Sequence, residues 1–410
     1  MQAEDPSSTG RLALYERPAP STLPLRGFAP LRAALASLPA TDRISPYTSH
    51  VLDLTRAIAA GLVVLLHARI YALGREPGGI WDRILYAVTN CGSPAVFWFF
   101  VISGYLVGGA VIAEIARTGR FDVRRYLINR LARLYIVLVP ALLLGAAVDG
   151  ARVAAWGLNA HAGYETAASL SGATLIGNLL YLQTLLVPTF GSNAALWSLA
   201  NEFWYYMLFP LLLAPLMIRW HAAVRTALFC AGLLGLAVIC RLNVSMAWLF
   251  TVWCLGALTR FLPVVVVKSQ VLAWSAAAAA MVASPYLHPR IGLLATLLVA
   301  ATFATAILAT HGRASRPSGR WARAVTLFSG FSFSLYLIHL PVQHLVATAI
   351  GRGSDPFLYL PPHSIAAPAV ILALAGASYA AAWMFSLATE AHTAALRRWL
   401  SARVPRARVP

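Results

Sequence analysis

Apolar runs of about twenty residues recur along this chain with only short connections between them, and nothing else constrains its fold as strongly. A helix crossing the hydrocarbon core of a bilayer needs about 20 mostly apolar residues. Candidates lie near 54–74, 92–113, 133–149, 199–218, 224–240, 244–262, 269–284, 291–310, 328–350 and 365–388. Of the 410 residues 59% are hydrophobic and 11% charged, against about 25% charged in a typical soluble domain. So few charges would cover the surface of a water-soluble fold poorly. The pattern therefore predicts an all-α polytopic membrane protein with about ten transmembrane helices. The expected division is an N-terminal cytoplasmic tail (1–50), a membrane domain (51–390) and a basic cytoplasmic tail (391–410).

The formal net charge of +18 is carried almost entirely by arginine, with Lys268 the single lysine. A basic excess would ordinarily suggest nucleic acid, but here it falls in the connections between apolar runs, as orientation in a membrane requires. Lipid headgroups or an anionic cytoplasmic substrate are the expected partners, and nucleic acid is not. Cys91, Cys230, Cys240 and Cys254 show neither metal-ligand spacing nor a disulfide framework and read as small packing residues. The N-terminal stretch lacks the continuous apolar core of a signal peptide, and Leu25–Leu38 reads as a short amphipathic segment.

Arginine bias sets the orientation. Arg117, Arg120, Arg124, Arg125, Arg130 and Arg133 cluster before the third run. Arg313, Arg316, Arg320 and Arg323 form a second group, and Arg397, Arg398, Arg403, Arg406 and Arg408 a third. All three groups should face the cytoplasm. An even number of crossings must then separate the first two groups, and the stretch 172–187, with Asn178 and Gln183, would make that number odd. It is expected to be re-entrant, with 188–196 outside and both termini inside. Such a segment needs protein or a cavity to shield its backbone.

Ionisable residues within spans are costly and informative. Arg56 and His67 are eleven positions apart in the first run, on one helical face and about 16 Å apart along the axis. Arg56 fits snorkelling to the interface as well as ligand binding. His67 fits a structural hydrogen bond or a proton acceptor. Glu202, in ALWSLANEFWYYMLF, must be paired or protonated; orienting His67 and pairing with an arginine both satisfy that. Ser198 and Asn201 make the same helix start polar. Arg130 and Arg133, at i,i+3, suit phosphate, although positive-inside bias alone explains them. Ser103 and Gly104 suit close helix packing. Tyr336, His339 and His344 read first as core hydrogen-bonding residues.

Taken together, LDLTRAIAAGLVVLLHA, FWFFVISGYLVGG, RRYLINRLARLY, ALWSLANEFWYYMLFP and SFSLYLIHLPV resemble, in order, the acyltransferase-3 family of membrane acyltransferases, from about Ser45 to His392. The resemblance implies transfer of an acyl group, often acetyl, from cytoplasmic acyl-CoA to a hydroxyl of an envelope or exported glycan, a lipid or a small molecule. It implies a bacterial inner-membrane setting and glycan-synthesis proteins as partners. The family's Arg-x10-His pattern is matched by Arg56 and His67, the histidine being the residue implied to be essential. Its Arg-x-x-Arg is matched by Arg130 and Arg133, which implies a donor site, and its Trp-Ser-Leu-x-x-Glu by Trp197, Ser198, Leu199 and Glu202. The family's usual Leu-Asp-Gly-Leu-Arg start is replaced by Leu52-Asp53-Leu54-Thr55-Arg56, which keeps the charged residues in register.

On this reading His67 and Glu202 are catalytic. Arg56, Arg130 and Arg133, with Arg124 and Arg125, hold the phosphates of the donor. Trp197, Ser198, Asn201, Ser103, Tyr336 and His339 are candidates for the pocket or for oxyanion stabilisation. Direct transfer and an acyl-histidine relay both remain open. No permanently bound cofactor or metal is expected. The rival class is a secondary transporter of a polar or anionic solute, which should show two related halves; no repeat is visible.

Overall fold

Each predicted apolar run falls on helix in the computed structural model, which describes residues 44–73, 80–158, 167–218, 220–262, 269–311, 313, 315 and 317–404. Within a bilayer the backbone has no water to bond, so its polar groups must be satisfied inside each segment. In chain order the helices are α1 (Pro46–Leu73), α2 (Ile80–Thr89), α3 (Gly92–Ser103), α4 (Gly109–Thr118), α5 (Val123–Trp156) and the short α6 (Gly172–Leu179). They continue as α7 (Leu196–Met217), α8 (Ala222–Leu242), α9 (Val244–Thr259), α10 (Gln270–Ile291), α11 (Leu293–Leu308) and α12 (Gly319–Gly330). Last come α13 (Ser332–Gly351), α14 (Ala366–Ala388) and α15 (Thr393–Arg403). A π-helical turn at Gly104–Gly108 joins α3 to α4. No strand occurs among the described residues; the one β-bridge, Gln183 to Val187, is isolated.

Seven helical segments are long and apolar enough to cross a membrane: Pro46–Leu73, Leu85–Thr118, Val123–Trp156, Ala222–Leu242, Gln270–Ile291, Ser332–Gly351 and Ala366–Arg403. The protein is thus all-α and multi-pass, with seven candidate spans among the described residues rather than the ten expected. The difference has a physical basis. Helices α9 and α11 have 16 residues each, about 24 Å of rise, short of a hydrocarbon core of about 30 Å. Helix α7 has 22 residues, but Asn201, Glu202, Tyr205 and Tyr206 make its first half less apolar than the seven spans. The N-terminal stretch with Leu25–Leu38, Lys268, Arg316, Arg406 and Arg408 lie outside the described residues.

Large apolar side chains face outward as well as inward: Leu143, Leu234, Val271, Leu272 and Leu372 are all exposed. A water-soluble protein rarely shows such a surface; lipid is its natural solvent. Cys91 is buried, but Cys230 and Cys240 are exposed on α8 and do not pack internally, contrary to expectation. Inside, α13 packs against α1, α5 and α14, and α3 packs against α1, α9 and α11. The α3–α9 crossing is unusually close. A Cβ on Gly104 would lie 1.8 Å from the Trp253 carbonyl oxygen, and one on Gly256 2.1 Å from that of Val101. Here the small residues do set the helix spacing.

The stretch 172–187 is held to the protein through one side, while Ile176, Leu180 and Leu186 are exposed on the other. Eight residues of α6 rise only about 12 Å, too little to cross as a helix. Asn178 donates to the Thr174 and Pro188 carbonyls (2.8 and 2.9 Å) and accepts from Phe190 N–H (3.1 Å). Gln183 donates to the Leu196 carbonyl (3.0 Å). Tyr181, fully buried, stacks on Phe203 with ring centroids 4.2 Å apart. Farther along, Asp149 of α5 accepts from both Ser192 N–H and Ser192 O–H (2.8 and 2.7 Å).

Candidate active site

Helices α1, α3, α5, α7 and α13 enclose a cavity of about 310 Å³, to which α15 adds Arg397. One end is basic. Arg56, Arg130, Arg133 and Arg397 line it, with Glu202 the single carboxylate among the described residues of the wall. Arg56 pairs with Asp53, one turn back on α1. Arg130 lies over the Tyr206 ring (5.9 Å) and Arg133 over the Phe333 ring (5.6 Å). The Nε donors of Arg56, Arg130 and Arg397 are buried without a hydrogen-bond partner. Buried cationic donors left unsatisfied are expensive, and an anion in the cavity would satisfy them. The rest of the wall is apolar or hydroxylic: Phe99, Phe100, Leu106, Val107, Leu134, Ser103, Ser198 and Tyr336.

Glu202 is fixed by hydroxyls. Ser103 Oγ donates to its Oε1 (2.5 Å), as does Tyr206 O–H, and Trp253 Nε1 donates to Ser103 (3.0 Å). No donor among the described residues reaches Oε2. Of the two alternatives for Glu202, neither a hydrogen bond with His67 nor an ion pair with an arginine is made among the described residues, and the geometry gives His67 a different partner. Ser198 and Tyr336, also in the wall, share a hydrogen bond of 2.7 Å.

Beyond Tyr336 stand two histidines. His67 Nδ1 lies 2.8 Å from the Val63 carbonyl oxygen and 3.2 Å from His339 Nε2. His339 Nδ1 lies 2.8 Å from the Tyr336 carbonyl oxygen and 3.2 Å from that of Leu335. Carbonyl oxygens only accept, so in the neutral pair each Nδ1 carries the proton. His339 Nε2 then offers its lone pair to His67 Nδ1–H. His67 Nε2 is left with a free lone pair and no hydrogen-bond partner among the described residues. That is the arrangement of an oriented base or nucleophile with a second group behind it. The rings are 5.0 Å apart, and His339 is fully buried.

The remaining predicted residues separate. Trp197 packs edge-on against Phe100 (6.0 Å). Asn201 is buried, with its Oδ1 lacking a partner, and does not line the cavity. Arg124 is occupied elsewhere: its guanidinium donates to the Ser401 and Val404 carbonyls at the end of α15, docking that helix on α5. Arg125 lines a neighbouring cavity. His344 is buried beside Tyr71, with ring centroids 5.8 Å apart. Two residues escaped sequence reasoning. Arg397 read as tail charge, and no local signal distinguishes it. Tyr206, one helical turn after Glu202, was legible from i,i+4 spacing.

The fold and this site define a multi-pass membrane protein in which a basic cavity lies next to a paired histidine. Residues 49–386 match the acyltransferase-3 family model, described as an acyltransferase domain. The match covers most of the chain, and the chain belongs to that family. Membership supports acyl transfer as its general activity. No curated protein and no solved structure matches it.

Proposed function

We propose that this protein transfers an acyl group, acetyl in the first instance, from cytoplasmic acyl-CoA to a hydroxyl of an envelope or exported glycan or glycolipid. The observation that carries the reading is the continuity of α1, which bears Arg56 at the basic cavity and His67, with its free Nε2, about 16 Å farther along the axis. A long, thin donor with its phosphates at one end and a thioester at the other fits that span. Arg56, Arg130, Arg133 and Arg397 hold the diphosphate. Glu202, in the cavity wall, keeps Ser103 and Tyr206 in place through Oε1 and accepts through Oε2 from an amide N–H of the pantetheine arm.

Two routes share one geometry. In direct transfer His67 Nε2 takes the acceptor proton while the acceptor oxygen attacks the thioester carbon. The C–S bond breaks, and the thiolate recovers the proton as free CoA. In the relay Nε2 itself attacks the thioester carbon, the C–S bond breaks and CoA leaves as its thiolate, while His339 shares the Nδ1 proton. The acceptor oxygen then attacks the acyl-imidazole, the C–N bond breaks, and the hydroxyl proton ends on the thiolate as free CoA. In both, positive charge on His67 is stabilised by His339, and Tyr336 or Ser198 donates to the developing oxyanion. The orientation that fits adds α7, α9 and α11 to the seven candidate spans, the two 16-residue helices being accommodated by local thinning of the bilayer. This gives ten crossings, with 172–187 re-entrant and both termini on the cytoplasmic side of a bacterial inner membrane. The test is acyl transfer from labelled acetyl-CoA in membranes containing the protein. His67→Ala should lower it by about a hundredfold or more, and full retention of activity would remove the catalytic assignment.

A further inference from the structure

Helix α13 starts without a cap of its own. Phe331 stands at its N-cap position and makes no side-chain capping bond, so the first N–H groups of the helix need partners from elsewhere. One of them is met by Glu390, in the single 3-10 turn Glu390–His392 that joins α14 to α15. Its Oε2 accepts from Ser334 N–H (3.1 Å) and from Ser334 O–H (3.0 Å). Ser334 is fully buried and Glu390 half-buried. A carboxylate also suits the positive end of the helix dipole.

The turn held in this way belongs to the wall of the basic cavity. Ser332, Phe333 and Tyr336 line the cavity on either side of Ser334 in sequence, and Arg133 lies over the Phe333 ring. The Glu390–His392 turn also packs on α5, the helix that carries Arg133. Arg133 and Arg56 are the cations whose charge reaches Glu390. Neither is ion-paired with it among the described residues, and Glu390 does not itself line the cavity. Its bonded oxygen is given to Ser334. Negative charge therefore stands behind the arginines and takes none of their N–H donors.

We propose that Glu390 is a positioning residue of the donor site: it sets the first turn of α13 against the cavity and supplies a standing counter-charge to Arg133 and Arg56. The proposal rests on the acyl-CoA reading above. Partly buried guanidinia are costly without negative charge nearby, and a donor substrate is present only for part of each turnover. Glu390 offsets that cost while the cavity is empty. Because it binds Ser334 rather than a guanidinium, the arginine donors stay available to the diphosphate when CoA arrives. The two roles of Glu390 separate by substitution. Glutamine keeps an acceptor for Ser334 and removes the charge, whereas leucine removes both.

The test is equilibrium binding of CoA to the full-length protein in phosphatidylcholine nanodiscs. Glu390→Gln should bind CoA about threefold more tightly or better than the unmodified protein, because a unit negative charge near the phosphates is gone. A residue with a purely structural role would give no such gain. Glu390→Leu leaves both Ser334 donors without their acceptor and lets the turn with Phe333 and Tyr336 shift. It should bind CoA about threefold more weakly than the glutamine variant, or worse. The glutamine variant keeps the acceptor and carries the test if the leucine variant misfolds. Unchanged or weaker CoA binding by Glu390→Gln would overturn the counter-charge, and equal affinities of the two variants would overturn the hold on α13. In either case CoA binding by the unmodified protein leaves the donor reading standing. If the unmodified protein does not bind CoA, that reading fails, and this one with it.

Discussion

Replacing His339 by leucine isolates the contribution of the group behind His67. The side chain is fully buried, and leucine roughly conserves its apolar volume. The Tyr336 and Leu335 carbonyls that lose the His339 proton sit within α13, where helical bonds still serve them. The variant should therefore fold. What it loses is the acceptor 3.2 Å from His67 Nδ1–H. That bond is neutral in the resting pair and becomes charge-assisted when His67 takes a proton or an acyl group. A hydrogen bond to a charged group contributes about 1.5–3 kcal/mol, so kcat should fall roughly 10- to 150-fold. The loss should be smaller than that of His67→Ala, because the Val63 carbonyl still holds the same Nδ1–H at 2.8 Å and keeps the tautomer. The assay is release of free CoA from acetyl-CoA by the purified protein, with membrane extract supplying acceptor. The acetyl-CoA KM should not change, since His339 does not line the arginine cavity. His339→Gln, which restores an acceptor, should recover part of kcat. An unchanged kcat in the leucine variant, or a change confined to KM, would refute the assignment of His339 as the positioning residue.

Other predictions follow from the same geometry. Arg397→Gln should raise the acetyl-CoA KM about tenfold with little effect on kcat; an unchanged KM would return Arg397 to the role of tail charge. Glu202→Leu leaves the Ser103 and Tyr206 hydroxyls without their shared acceptor and should cost on the order of 2 kcal/mol of stability. Glu202→Gln keeps an acceptor there and should not, and thermal unfolding of the two variants in detergent decides the point. For orientation, Ser192 is a poor probe because it is buried on Asp149, whereas Ala167 and Arg320 are exposed. In a cysteine-free background, an impermeant thiol reagent added to intact cells should label Ala167→Cys and spare Arg320→Cys; the reverse pattern would invert the topology.

The sequence by itself determined the class of fold and singled out most of the polar residues that line the candidate site. Twenty-residue apolar runs admit helix and little else in a bilayer, because the backbone must bond to itself. Arg56 and His67 were visible as a pair because helical period alone puts them on one face. Asn178 and Gln183 marked 172–187 as unsuited to lipid, and the structure uses both to hold that segment against protein. The number of crossings was less legible. Apolarity alone does not reveal that α9 and α11 end after 16 residues.

Only the tertiary structure decided which polar groups meet. Glu202 was expected on His67 or on an arginine, yet it is claimed by Ser103 and Tyr206, and His339 stands on His67 instead. Arg124 and Arg397 looked alike as loop and tail charges, but one docks α15 and the other enters the cavity. The physical reason is common to all these cases. Periodicity fixes which side of its own helix a residue takes. The partner across the gap depends on how helices far apart in the chain rotate and approach, and that is set by packing such as the contact of Gly104 with the backbone of α9.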